Sequence, residues 1–302
     1  MTTVEDSQAD ESSSGRFWRD PPWRGGRTQF QLGVQPIPEA QWLAEPISPA
    51  EASRKRALLR ERRQDVLARA SDGEDWERMV VDWIAARLRA RGGYPLEPRH
   101  VVTAQDGSTG IPELAPPGLA DAALWVAEDL AVLAPSAAGY RLVAACVCAP
   151  SFWRLREKIG RSMHEIHGPV AGLNAAIGPR IERFFEGLPE DRVFQRRNYL
   201  LHQVEELFHP DDEVWPARLD IEAAGRLYLR SETQTLRRHE GGALLFTIRV
   251  ASHPLRQIVD YPEAAADLLL ATQRMSADER RSFGLQRHGD ALRTLLQAAT
   301  IR

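Results

Sequence analysis

A chain of 302 residues with 42 acidic and 39 basic side chains, formal net charge −3, can bury a large core as one domain or two small ones. Its charges are mixed along the chain, which denies a nucleic-acid partner its electrostatic footprint. No run approaches the ~20 apolar residues of a membrane span, and no apolar stretch follows a basic start as in a signal peptide. A cytoplasmic protein with no membrane contact is expected. The basic runs at 154–161 and 192–197 carry no aromatic ladder and read as solvated faces.

Residues 1–27 are rich in Ser, Asp, Glu and Gly, the composition of a disordered tail. Residues 30–42 are extended and punctuated by proline. Ser48-Pro49-Ala50-Glu51 is a capping sequence that starts a charged helix to about residue 69. A second helix over 75–91 carries Trp76, Met79, Val80, Trp83, Ile84 and Leu88 at helical spacing, a core stripe. Residues 95–117 are a loop-rich connector. A short helix at 121–129 leads into a hairpin, 130–133 and 140–148, turned by Pro-Ser-Ala-Ala-Gly. Cys146 and Cys148 share one face of its second arm and read as reduced, buried thiols. As a C-x-C metal pair they lack a second pair nearby.

Residues 152–167 predict one helix. Phe152, Leu155, Ile159, Met163 and Ile166 form its apolar stripe, His167 continues that stripe at its edge, and His164 falls on the polar side. Gly168-Pro169 ends it. His167 is thus the better inward ligand, set against the plainer reading of a core histidine bonded to a carbonyl. As a zinc pair, H-x-x-H lacks the i, i+4 spacing of zinc-binding helices. A helix over 173–187, three strands at 193–202, 227–236 and 243–250, and helices at 262–274 and 277–300 complete the chain. Two strands, a helical block and three strands make an α+β protein with one antiparallel sheet and helices packed on one side.

The strand 227–236 places Tyr228, Arg230, Glu232 and Gln234 on one face, where a core would call for apolar residues. Such a row is either a solvated sheet face or a pocket floor, in which arginine keeps a carboxylate ionised to hold a cation or relay a proton. The alternation leaves both open.

Ordered motifs then add information that spacing does not. They are Phe30-Gln-Leu-Gly33 with Trp42, Glu128-Asp129-Leu130, Gly139-Tyr-Arg-Leu-Val, Ala149-Pro-Ser-Phe-Trp153, Lys158-Ile-Gly160, Ile166-His-Gly-Pro-Val170 with Gly172, Asn198-Tyr-Leu-Leu-His202, Leu229-Arg-Ser-Glu232, Gln234-Thr-Leu236 and Phe246-Thr-Ile248. In this order the chain resembles the haem-dependent oxidative N-demethylase family, the catalytic subunits of dimethylamine monooxygenase-type enzymes. The resemblance covers roughly residues 29–285. It implies a PAS-like antiparallel sheet with helices packed on it, plus N- and C-terminal helical extensions, within one haem-binding domain over residues 28–302. It implies haem b as the cofactor, with His167 the proximal iron ligand, and Tyr228, Arg230 and Glu232 lining the distal side. His202 would be a second-choice ligand or a propionate contact, and Asn198 shares its face. The activity implied is oxidation of a C–H bond next to nitrogen in a small amine, using dioxygen. No phosphate-binding glycine fingerprint or iron–sulfur cysteine set is present, so the electrons would come from a separate reductase. The chain departs from the family pattern at Gly168, Ala171, Tyr199, Thr233 and the Arg238–Gly241 turn, which bears on the substrate rather than the haem. The alternatives are a haem-based gas or redox sensor and a scaffold with an empty pocket.

Overall fold

The computed structural model describes residues 13–92, 117–137 and 139–301. Its centre is one antiparallel sheet of seven strands: β1 (Gln35–Ile37), β2 (Leu67–Arg69), β3 (Asp129–Ser136), β4 (Gly139–Cys146), β5 (Val193–His202), β6 (Tyr228–Arg238) and β7 (Leu244–Pro254). The order across it is β1-β5-β6-β7-β3-β4-β2. In the five long strands the first, β3, therefore pairs with the last, β7, in the middle of the sheet. This is the PAS-like arrangement, extended at both edges by the short β1 and β2.

Eleven α-helices are described around the sheet: α1 (Ser13–Arg19), α2 (Pro49–Glu61), α3 (Arg63–Val66), α4 (Glu74–Arg91), α5 (Leu119–Trp125), α6 (Met163–His167), α7 (Leu173–Glu186), α8 (Ile221–Gly225), α9 (Pro262–Arg274), α10 (Ala277–Ser282) and α11 (Leu285–Thr300). They cover both faces, not one. On the first face α6 and α7 pack Ile166, Ile177, Ile181 and Phe185 against Ala131, Leu133, Leu142 and Leu236. The second face is shared. Helices α2, α4 and α5 cover Leu130, Val132, Val143 and Leu245, while α1, α9 and α11 cover Tyr199, Leu201 and Leu229. With both sides dry, β3 and β4 are buried almost throughout, which is why they read as near-continuous apolar runs.

Ser48 caps α2 as the sequence predicts, in a reciprocal box with Glu51. The predicted helix to residue 69 ends earlier, because Leu67–Arg69 leave it to pair with β4 as β2. The C-terminal helix is split at Gly284, whose φ of 74° is left-handed. No helix among the described residues is long and apolar enough to cross a membrane. The connector at 95–117 and residues 1–12 of the predicted tail fall, wholly or nearly so, outside the described residues.

The rest of the predicted tail differs from expectation. Residues 13–27 contain α1 and a 3-10 turn at Arg24–Gly26, and Trp18 and Trp23 are fully buried. Trp23 donates through Nε1 to Ala264 O at 2.8 Å, and its ring meets Tyr199 edge-on at 5.2 Å. Large aromatic anchors outweigh a polar, glycine-rich composition here. Trp23→Ala is expected to lower unfolding stability by about 3–5 kcal/mol in urea titrations. An unchanged midpoint would return this segment to a tail.

The single helix predicted over 152–167 does not form. Leu155–Glu157 is one 3-10 turn, the chain reverses at Gly160 (φ 79°), and α6 holds only Met163–His167. The competing interactions are with β4. Gly160 N donates to Leu142 O at 2.7 Å, and Leu142 N donates to Arg161 O at 2.9 Å. Ser162 then caps α6 through Glu165. Leu155, Ile159, Met163 and Ile166 still enter one apolar cluster. Phe152, the first residue of the predicted stripe, leaves that cluster and stacks on His202, so the stripe holds as burial for the other four residues and not as one helix.

Candidate functional site

The ladder between β5 and β6 sets the first face. Arg196 lies opposite Gln234, Asn198 opposite Glu232, Leu200 opposite Arg230, and His202 opposite Tyr228. Ile248 and Val250 of β7 continue the Gln234 and Glu232 rows. Toward one end Phe194, Leu236 and Phe246 join the core under α7. Beyond them the face becomes polar, with Arg196, Asn198, Glu232 and Gln234 half-buried. It is therefore neither a plain solvated face nor a packed core.

Glu232 is held by two donors. Ser151 Oγ donates to Oε1 at 3.0 Å and Gln234 Nε2 donates to Oε2 at 2.7 Å. Arg230 is almost fully buried and serves the same segment from beneath. Its Nη2 donates to Ala149 O and, at 3.1 Å, to Pro150 O. Burial pulls its pKa down to about 10, against the opposing charges of Glu232 and Asp129. Asp129 completes the brace, accepting from Cys148 N at 2.9 Å and Ala149 N at 2.8 Å. The chain from Cys148 to Ser151 is thus fixed to the sheet, and Ser151 is fixed against Glu232.

His167 ends α6 and is half-buried. Burial first, then the charges of Arg196 and Lys158, hold its imidazole neutral down to about pH 4. His164 is exposed, as its place on the polar side predicts. Arg196 is depressed by burial and partly restored by Glu232, and its Nε has no hydrogen-bond partner among the described residues. His167, the half-buried Arg196 with its vacant Nε and the anchored Glu232 carboxylate thus form a chain of groups that act on one another electrostatically.

The other predicted residues sit apart. His202 is six residues along β5 from Arg196, roughly 20 Å at the rise of a strand. It is 1% exposed and its ring stacks on Phe152 at 4.3 Å. Around it are His209 and Glu213, with ligand atoms of all three within 4.8 Å of one another. Tyr228 stands opposite His202 at the same end. Cys146 and Cys148 are free and buried in the apolar layer, and the Cys146 thiol is pushed well up by its contact with Cys148 and by burial. A separate groove of about 510 Å³ lies among α9, α10 and α11, lined by Arg218, Thr272, Arg280, Arg287 and Arg293, and includes none of the predicted site residues.

Sequence reasoning missed Ser151, Arg196, His209 and Glu213. Arg196 was legible, because period two puts it beside Asn198; the basic run around it suggested a solvated face instead. Its neighbour Arg197 does turn the other way and pairs with Asp20 at 2.8 Å. Ser151, His209 and Glu213 lie on irregular chain with no period to read.

No curated protein matches the chain. A family model described as haem-dependent oxidative N-demethylase, alpha subunit-like, matches residues 49–292, a span that includes the whole polar face with α6 and the loop after β5. The chain belongs to that family.

Proposed function

We propose that the protein is a haem-dependent oxygenase that oxidises a C–H bond next to nitrogen in a small amine, with dioxygen as oxidant and two electrons from a separate reductase. The observation that carries this reading is His167, a neutral imidazole at the edge of the apolar layer, beside the vacant buried donor of Arg196. The residues fit haem b on chemical grounds. An axial ligand must be unprotonated, and a propionate would give Arg196 the acceptor it lacks. Phe194, Leu236 and Phe246, packed under α7, close the apolar end of the polar row.

Bound haem supplies the iron at which dioxygen is reduced. The protein's part is orientation and proton handling. His167, at the end of α6, would hold the iron. Glu232, kept in one place by Ser151 and Gln234, is the group that pairs with a substrate ammonium or passes protons toward dioxygen. Arg230 acts as a positioning residue through Nη2, which donates to Ala149 O and Pro150 O, while its buried Nε and Nη1 have no hydrogen-bond partner among the described residues. Asn198 lies directly across from Glu232 and offers an amide to the same space. Tyr228 and His202 edge the far end of the face. Hydroxylation of the carbon gives a carbinolamine, whose C–N bond breaks to release an aldehyde and the shortened amine.

The cofactor half of this reading has a direct test. Full-length protein expressed with haem supply should be coloured and hold about one haem b per chain, counted as the pyridine haemochrome. Colourless protein that takes up no haem on reconstitution would leave the scaffold reading in its place.

A further inference from the structure

The end of the first face away from α6 carries a second constellation, in which the haem reading keeps His202 only as a second-choice ligand and gives His209 and Glu213 no role. His202, His209 and Glu213 converge there. His202 Nδ1 is 3.5 Å and His209 Nε2 is 3.6 Å from the same oxygen, Glu213 Oε1. These separations are too long for good hydrogen bonds. Both ring nitrogens of His202 and Nε2 of His209 are buried and have no hydrogen-bond partner among the described residues. The side chains of His202 and Glu213 are 1% and 3% exposed. Buried imidazole nitrogens left vacant beside a buried carboxylate oxygen are costly unless something binds between them.

We propose that His202, His209 and Glu213 form a binding site for a divalent first-row transition ion of the zinc type. Two imidazoles and one carboxylate are a donor set that zinc accepts at about 2.0–2.2 Å from each ligand, with a fourth position left for water. Ligand atoms of a tetrahedral ion at that radius stand on the order of 3.3 Å apart, close to the two separations found here.

The surroundings prepare the trio. Glu213 is aimed by Gln203, whose backbone N–H donates to Oε1 at 2.8 Å. The His202 ring is held by its stack on Phe152, which is nearly parallel at 11°. His209 is tied to the brace beneath Glu232, since its N–H donates to Pro150 O at 3.2 Å and its carbonyl accepts from Phe152 N at 2.8 Å. Phe152 pays for that position with a left-handed φ of 60°, a strain usually kept where surrounding structure needs it. The positive charge of Arg230 lies near, but Glu232 and Asp129 act on it more strongly than Glu213 does. An ion here would staple the loop after β5 to the segment that presents Ser151.

The test uses the full-length, haem-loaded protein, stripped of loosely held metal by chelator. Zn²⁺ binding is followed by competition with a chromophoric chelator, Co²⁺ binding by its ligand-field bands, and haem is counted separately in every sample. Wild type should take up about one Zn²⁺ per chain. His209→Ala and Glu213→Gln should each bind about 100-fold more weakly or worse, a loss at least as large as that from losing an outer-shell partner. His164→Ala should bind as wild type does, and haem content should be unchanged throughout. Wild type that binds Zn²⁺ no better than folded His209→Ala, or whose Co²⁺ spectrum lacks imidazole coordination, overturns the site. Either result leaves the haem reading standing, because haem is read independently on the same samples.

Discussion

His167→Ala should lose most of its haem, with affinity falling on the order of tenfold or more, while His164→Ala keeps a full complement. The contrast follows from three residues of separation on one short helix. His164 is exposed, whereas His167 is half-buried, and burial first, then the charges of Arg196 and Lys158, pull its pKa down to about 4. Loss of an axial ligand costs at least what loss of an outer-shell partner does, about 10–100-fold in metal affinity. Folding should be little affected, because α6 owes its start to the Ser162–Glu165 box and its burial to Met163 and Ile166. Absorbance and pyridine haemochrome counts on folded protein decide the matter. Full haem retention in His167→Ala would move the ligand to another residue.

Glu232→Gln should keep haem and lose turnover by on the order of 10²-fold or more, the scale of removing a positioned acid–base group. The substitution conserves volume. The new amide's oxygen can still accept from Gln234 Nε2 while its N–H donates to Ser151 Oγ, so both contacts can persist with the Ser151 bond reversed. The comparison with Arg230→Lys separates chemistry from positioning. Arg230 holds Ala149 and Pro150 from within the sheet, so its loss should lower stability as well as rate. Aldehyde release, oxygen uptake and a urea midpoint on the same preparations give all the quantities needed. A Glu232→Gln protein that turns over like wild type would reduce the polar row to a structural feature.

Much of the frame was legible because it rests on period two. The alternation in β6 puts Tyr228, Arg230, Glu232 and Gln234 on one face, and the ladder sets Asn198 and His202 of β5 opposite Glu232 and Tyr228. Where the reading failed, burial and conformation had come apart. Leu155, Ile159, Met163 and Ile166 are spaced like a helix and buried together, yet the backbone between them turns at Gly160 to bond with β4. Trp18 and Trp23 are core residues in a segment whose average composition is that of a tail, since two indoles outweigh many serines. The trio of His202, His209 and Glu213 is assembled by a loop without regular structure and by a left-handed Phe152, neither of which leaves a periodic trace.

One measurement bears most directly on the central claim that this face is an oxygenase pocket. Wild-type protein, supplied with reducing equivalents and a panel of small secondary amines, is followed for dioxygen consumed and aldehyde released. The account predicts an amine for which the two appear together at close to one to one, with that coupling lost in Glu232→Gln. Haem-loaded protein that releases no aldehyde from any of the amines, and consumes dioxygen no faster than free haem, would contradict it and favour a sensor.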